Sequence, residues 1–278
     1  MTVAVVTDSA AALPAELAAQ YAVTVVPMWL TVRGEPELEG TRPLEELVTH
    51  DQVTTSAPTP GEFETAIKDT LRGSDGVVLL TIAGSMSATY QSALLAANAV
   101  GGPVRVVDTA TAGGAEALVV LAAAQAAQTG ADLDAVERAA VHVIDRVRLV
   151  ATIPTLEHLV RSGRVPGLAG WAGTRLGINP LFEFRGGKVR RLRPALSHDA
   201  ALDRIVGLVH RSRMPGASLH VAALHALNVD VARELLDRVK AEEQPVAAFI
   251  GEFGPVMVVH TGPGLAGLAW WWEEPGGP

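Results

Sequence analysis

The chain has 278 residues, 49% of them hydrophobic and 19% charged, a composition that describes a globular protein with an ample core and excludes disorder over most of its length. A formal net charge of -8, with basic residues scattered singly, leaves no electrostatic footprint for nucleic acid. The absence of cysteine removes disulfides and thiolate metal sites, and no His or carboxylate pairs show ligand spacing, so no metal or cofactor is expected.

In chain order, the first half alternates β-branched runs with helical segments: TVAVVT, PAELAAQY, VTVVPMW, GVVLLTI, SATYQSALLAANAV, PVRVVD and AEALVVLAAAQAAQ. Continuous apolar strands separated by helices predict a parallel sheet with helices on both faces, hence an α/β fold. In DLDAVERAAVHVIDRVR the residues Leu133, Val136, Ala140 and Val143 share one helical stripe, which predicts a surface helix. From about Gly167 a glycine-broken stretch leads into NPLFEFRGGKVRRLRPAL, two extended runs around Gly186 and Gly187 that read as a hairpin. After it come helix HDAALDRIVGLVHRS, strand SLHVAALHAL, helix VDVARELLDRVKAEE and a final extended stretch ending in VVHTGPGLAGLAWWW. Two domains are expected, an N-terminal α/β domain over residues 1–165 and a C-terminal α+β domain with an antiparallel sheet over 166–278, with a ligand between them. The most apolar segment, ALVVLAAAQAA, is shorter than the roughly 20 residues of a membrane span. MTVAVVTDSA lacks the basic and long apolar regions of a signal peptide, so a cytoplasmic location without integral membrane association is expected.

Polar chemistry concentrates in three segments. In VTTSAPTPGEF, Thr54, Thr55 and Ser56 end an apparent loop ahead of a helix opening at Pro60. In TIAGSMSATYQSALLAAN, the hydroxyls of Ser85, Ser87 and Thr89 crowd the mouth of a helix where one capping residue suffices. In HTGPG, His260 and Thr261 precede a turn forced by glycine and proline. Two of these segments open helices, whose free N–H groups and dipole favour an anion. Near the start, TDSAAALP reads as a strand-to-helix turn closed by Asp8 or Ser9. Arg161 and Arg164 are expected to pair with acidic groups between domains, and Trp270 to Trp272 to anchor a core or interface.

These same residues carry a resemblance. VVTDSAAALPAELAAQYAVTVVPM, TSAPTPGEF, MSATYQSA, VVDTATAGGAEALVV, LEHLVRSGRV, GINPLFEFRGGKV and HTGPGLAGL follow in the order found in the DegV family of bacterial lipid-binding proteins, which includes the fatty-acid-binding subunits of fatty acid kinase. The resemblance implies a two-domain α/β carrier, not itself an enzyme, that buries a long-chain fatty acid of the palmitate kind. Carried over residue by residue, the carboxylate falls to Thr55, Ser87, the N–H of Ala88 and His260, with Ser56, Ser85 and Thr261 as further lining residues. A fatty acid kinase catalytic subunit is the partner so implied. Two departures stand out: Ala88 replaces the family's usual glycine, and LSHDAA, Leu196 to Ala201, replaces a basic segment that would put arginine at Leu196. The rival reading is a serine hydrolase using Ser85 or Ser87 with Asp230 and His260, although neither serine sits in a G-x-S-x-G frame.

Overall fold

The structure is a computed structural model that describes residues 1–47, 53–164 and 178–276. The first sheet is parallel, in the order β2-β1-β6-β7, from β1 (Val3–Asp8), β2 (Thr24–Val26), β6 (Gly76–Thr81) and β7 (Val104–Asp108). The short helix α1 (Ala15–Gln20) makes the crossover between β1 and β2. Val6, Val77 and Leu79 face α3 (Pro60–Leu71) and α4 (Thr89–Val100), and Val5, Val78 and Leu80 face α5 (Gly114–Gln128) and α6 (Leu133–Ile144). Both faces are therefore covered, which is why these strands are continuously apolar.

A second sheet of six strands is mixed, in the order β10-β9-β8-β13-β11-β12. It comprises β8 (Arg148–Thr152), β9 (Asn179–Arg185), β10 (Lys188–Ala195), β11 (Ser218–His225), β12 (Ala247–Glu252) and β13 (Ala266–Glu273). All its pairings are antiparallel except β11 with β12, joined by the crossover helix α9 (Val229–Lys240). Its outer face packs on α9 and α8 (His198–Arg211), and its inner face on α5. α5 thus lies between two sheets, so ALVVLAAAQAA is apolar all round because both sides are buried. Gly114 is needed there: a Cβ would stand 2.6 Å from Leu224 Cδ2 and 2.8 Å from Ala222 Cβ on β11. Among the described residues no helix is long and apolar enough to cross a membrane.

Several sequence expectations need correction. β8 lies between β9 and β13 in the second sheet, and the last strand that the chain gives to the parallel sheet is β7. The glycine-broken stretch from Gly167 lies outside the described residues. Thr54, Thr55 and Ser56 belong to a strand, β5 (Val53–Ser56), not to a loop. With β3 (Trp29–Val32) and β4 (Glu35–Leu38) it makes a three-stranded antiparallel sheet, next to the one-turn helix α2 (Leu44–Leu47). VMVVHT is helical, in α10 (Pro255–Thr261), opened by Gly254 and Pro255 and ended by Gly262 at φ +76°. The tryptophan cluster does pack in the core: Trp270 and Trp272 donate to Ser212 Oγ at 2.8 and 3.1 Å, and Trp271 stacks on His220.

Candidate functional site

The three polar segments meet around a cavity of about 620 Å³, within the usual range of about 300–1,000 Å³ for small-molecule sites. β5 is the outer strand beside β3, with Thr55 opposite Leu30, and its hydroxyl reaches inward to His260 Nε2 at 2.7 Å. His260 arrives from the last turn of α10. Burial, assisted by the nearby Arg164 guanidinium, pushes its imidazole down to about 4, so the ring is neutral at physiological pH.

Across the cavity, the chain leaving β6 tightens through Ile82 and Ala83, with Met86 N–H and Ser87 N–H both donating to Ala83 O. This turn aims the N-terminus of α4 at the cavity. Ser87 Oγ bonds Thr89 Oγ1 at 2.7 Å and accepts from Thr89 N–H at 3.3 Å, while Ala88, at the N-cap, makes no side-chain cap. Ala88 has φ -72° and ψ 0°, which any L residue adopts, so alanine in place of glycine costs nothing in backbone strain here. The crowd of hydroxyls is divided in purpose. Thr89 is buried, and Ser92 Oγ donates to Pro58 O at 2.6 Å, tying α4 to the segment before α3. Ser85 Oγ donates at 2.8 Å to Gly187 O in the β9–β10 hairpin, whose tip residues Gly186 and Gly187 have φ +57° and +71°.

Thr55, Ser87, Ala88 and His260 therefore line one cavity, together with Ser56, Ser85 and Thr261. The last two have committed hydroxyls, since Thr261 Oγ1 bonds Met257 O and Gly262 O at 3.1 and 3.2 Å. Thr59, not Thr55 or Ser56, caps α3, through a reciprocal capping box with Glu62. The apolar lining comes from Met28, Ile82, Leu159, Val256 and Met257, scattered over four segments whose convergence no local pattern announces. A larger cavity, about 800 Å³, adjoins the first and shares Thr55, Ser162, Arg164 and His260 with it.

Among the described residues the two arginines do not pair with carboxylates as expected. Arg164 Nη1, beyond α7 (Glu157–Ser162), donates to Met86 O at 2.7 Å, and Arg161 meets His158 Nδ1 at 3.1 Å. Asp8 does close its turn, accepting from Ala10 N–H, but it also accepts from Ile82 N–H at 2.9 Å, which ties the end of β1 to the cavity wall. The hydrolase constellation is not assembled. Asp230 is an exposed residue of α9 paired with Arg233, and His260 faces a threonine hydroxyl instead of a serine. Among the described residues no three His, Asp or Glu side chains are grouped to hold a metal.

The profile of a family described as "Uncharacterised protein, DegV family" matches residues 2–273. A DegV domain-containing protein of Mycobacterium tuberculosis is 35% identical over 274 residues, 96% of each chain. In three dimensions the chain is similar to a DegV family protein from Thermus thermophilus described for its fatty acid binding, with a TM-score of 0.91 and 28% identity over 98% of this chain and 100% of that one. It is similar also to a Bacillus subtilis protein described as a fatty acid binding protein, with a TM-score of 0.87 and 25% identity over 98% and 100% of the two chains.

Proposed function

Since the chain belongs to the DegV family, we propose that it binds one long-chain fatty acid, with the carboxylate between the N-terminus of α4 and the Thr55–His260 pair and the tail along the apolar lining. The observation that carries this reading is the 2.7 Å contact of Thr55 with a neutral, half-buried imidazole on the cavity that Ser87 and Ala88 also line. A carboxylate accepts about four hydrogen bonds. Ser87 Oγ, Ala88 N–H, Thr55 Oγ1 and the helix dipole supply donors and positive potential without a buried full charge. When His260 Nε2–H donates to Thr55 Oγ1, the threonine proton is released toward the ligand, so the imidazole polarises the hydroxyl that touches the lipid.

The tail supplies most of the affinity. At about 0.8 kcal/mol per buried CH₂, a chain of about 15 gains on the order of 12 kcal/mol before ordering costs. Native mass spectrometry of protein purified from cells, followed by organic extraction, tests the reading. One free fatty acid per chain is expected. Protein that carries none from several hosts, and binds none in a fluorescence displacement assay, overturns it.

The lipid is proposed to be carried without docking a kinase catalytic subunit of the family's basic-patch type. Leu196 is 86% exposed where that surface would need a cation, and Asp199 just beyond it is paired with Arg238. Poor acyl phosphate formation with a foreign kinase subunit is expected, with partial recovery in Leu196→Arg. Efficient turnover by the unmodified protein removes this part of the reading.

A further inference from the structure

The cavity that Thr55, Ser87 and His260 line has an unusual apolar wall. Three of the chain's five methionines, Met28, Met86 and Met257, lie on it, beside one isoleucine, one leucine and one valine at Ile82, Leu159 and Val256. No phenylalanine or tryptophan is among its described lining residues. Among the described buried core residues methionine occurs once, at Met28 itself, whereas valine, leucine and alanine recur throughout. Methionine is therefore concentrated at this cavity, not spread through the protein.

The main chains of the three are fixed. Met28 N–H donates to Ser9 Oγ at 3.0 Å. Met86 N–H donates to Ala83 O at 2.9 Å, and its carbonyl accepts from Arg164 Nη1 at 2.7 Å. Met257 sits in the first turn of α10, with its carbonyl accepting from Thr261 Oγ1 at 3.1 Å. The side chains are free to adjust, because each is an unbranched, polarizable thioether with three rotatable bonds. Met86 and Met257 are only half-buried, and the three belong to separate segments, ahead of β3, ahead of α4 and within α10, so one can change rotamer without moving the others.

The mechanical difference from a branched wall decides what tail fits. A closely fitted hydrophobic pocket separates ligands that differ by one methylene by about 10- to 200-fold. Flexible methionine-rich surfaces re-pack around ligands of different outline instead, and lose that discrimination. A cis double bond changes the outline of an acyl chain and leaves its apolar character intact, so it is the feature to which such a wall is least sensitive.

We propose that Met28, Met86 and Met257 give the site a broad acyl specificity, admitting straight long chains and long chains bent by a cis double bond with similar affinity. The proposal rests on the fatty acid reading above and adds the class of tail to it. The test is displacement of a fluorescent fatty acid from the delipidated full chain by oleate, by its trans isomer elaidate and by stearate. Oleate and elaidate share length, head group and unsaturation and differ in the bend alone. All three should bind the wild type within about threefold of one another. In the triple variant Met28→Leu, Met86→Leu, Met257→Leu, which nearly conserves volume, branching at Cγ stiffens the wall, and the two isomers should separate by about tenfold. A wild type that separates oleate from elaidate by more than threefold, or a triple variant that keeps the wild-type ratio, overturns the proposal and leaves fatty acid binding in place. Absence of binding by all three acids removes the underlying reading, and this one with it. Should the triple variant fail to fold, the isomer ratios of the wild type and of Met257→Leu alone decide in the same way.

Discussion

Thr55→Val isolates the bond on which the lipid reading turns. Valine keeps the β-branched shape that suits β5 and adds no bulk, so the pairing with β3 at Leu30 should persist. What disappears is the hydroxyl 2.7 Å from His260 Nε2. In the empty protein one neutral hydrogen bond is lost, about 0.5–1.5 kcal/mol of stability. With a carboxylate bound, the lost partner is charged and the cost rises to about 1.5–3 kcal/mol, or about 10- to 150-fold in affinity. Displacement of a fluorescent fatty acid gives the affinity, and thermal denaturation of delipidated protein gives the stability. The corresponding fatty alcohol provides an internal control, because it has no carboxylate and should bind wild type and variant with much closer affinities. A fatty acid affinity within twofold of wild type would refute the placement of the carboxylate at Thr55, whatever the stability did.

Ser87→Ala should weaken fatty acid retention by a similar 1.5–3 kcal/mol without creating or abolishing any ester hydrolysis; steady acyl ester turnover by wild type, lost in this variant and in His260→Ala, would instead support the hydrolase. His260, depressed in the fold, stays neutral where the unfolded chain takes up a proton, so stability should fall as pH drops from about 6.5 towards about 4, on the order of 3 kcal/mol at most. In denaturant titrations His260→Gln should lose that dependence, and parallel curves for the two proteins would contradict it. Asp8 runs the other way: raised to about 7, it favours the fold below about 4 and loses that contribution as pH rises through 7, so Asp8→Asn should gain on wild type between pH 5 and 8 in the same assay. Gly114→Ala should lower Tm by several degrees, because the new Cβ meets Leu224 and Ala222 and overpacking of about 1–3 kcal/mol exceeds the gain of about 1 kcal/mol in helix propensity; an unchanged Tm would mean that α5 shifts freely against β11.

The strongly patterned elements were legible in the sequence because burial alone decides them. β1 and β6 are apolar on both faces, and α6 shows its buried stripe of Leu133, Val136, Ala140 and Val143. Where local preference and tertiary packing disagree, packing decides the element. Valine at 256, 258 and 259 argues for a strand, yet Pro255 and the left-handed Gly262 bound one helical stretch whose packing against α7 and β5 outweighs that preference. The small antiparallel sheet was missed because β4 is polar, with Glu35, Pro36 and Glu37, and behaves as an exposed edge. Pairing of β8 with β9 and β13 depends on contacts distant in sequence and leaves no local mark.

The residues of the candidate site are marked in the sequence for a different reason, and only in part. Thr55, Ser87 and His260 stood out as polar groups next to turn residues, but their convergence came from the family resemblance, since the three lie on β5, before α4 and on α10. The structure adds the physical link. β5 reaches the cavity through β3, α4 through the end of β6, and α10 through Glu39, whose carboxylate holds Val256 N–H at 2.9 Å while also taking the Ser9 hydroxyl. Ser9 Oγ in turn accepts from Met28 N–H, and Asp8 from Ile82 N–H. The DSAAALP turn, none of whose residues lines the cavity, thus fixes three segments of the cavity wall at Met28, Ile82 and Val256, the last through Glu39. Its polar side chains are spent on backbone N–H groups because each wall segment leaves a strand or opens a helix there, and a buried N–H without an acceptor costs about 1–3 kcal/mol. The wall of the cavity is therefore held from behind, by the carboxylates of Asp8 and Glu39, on the side away from the hydroxyls proposed to meet the head group.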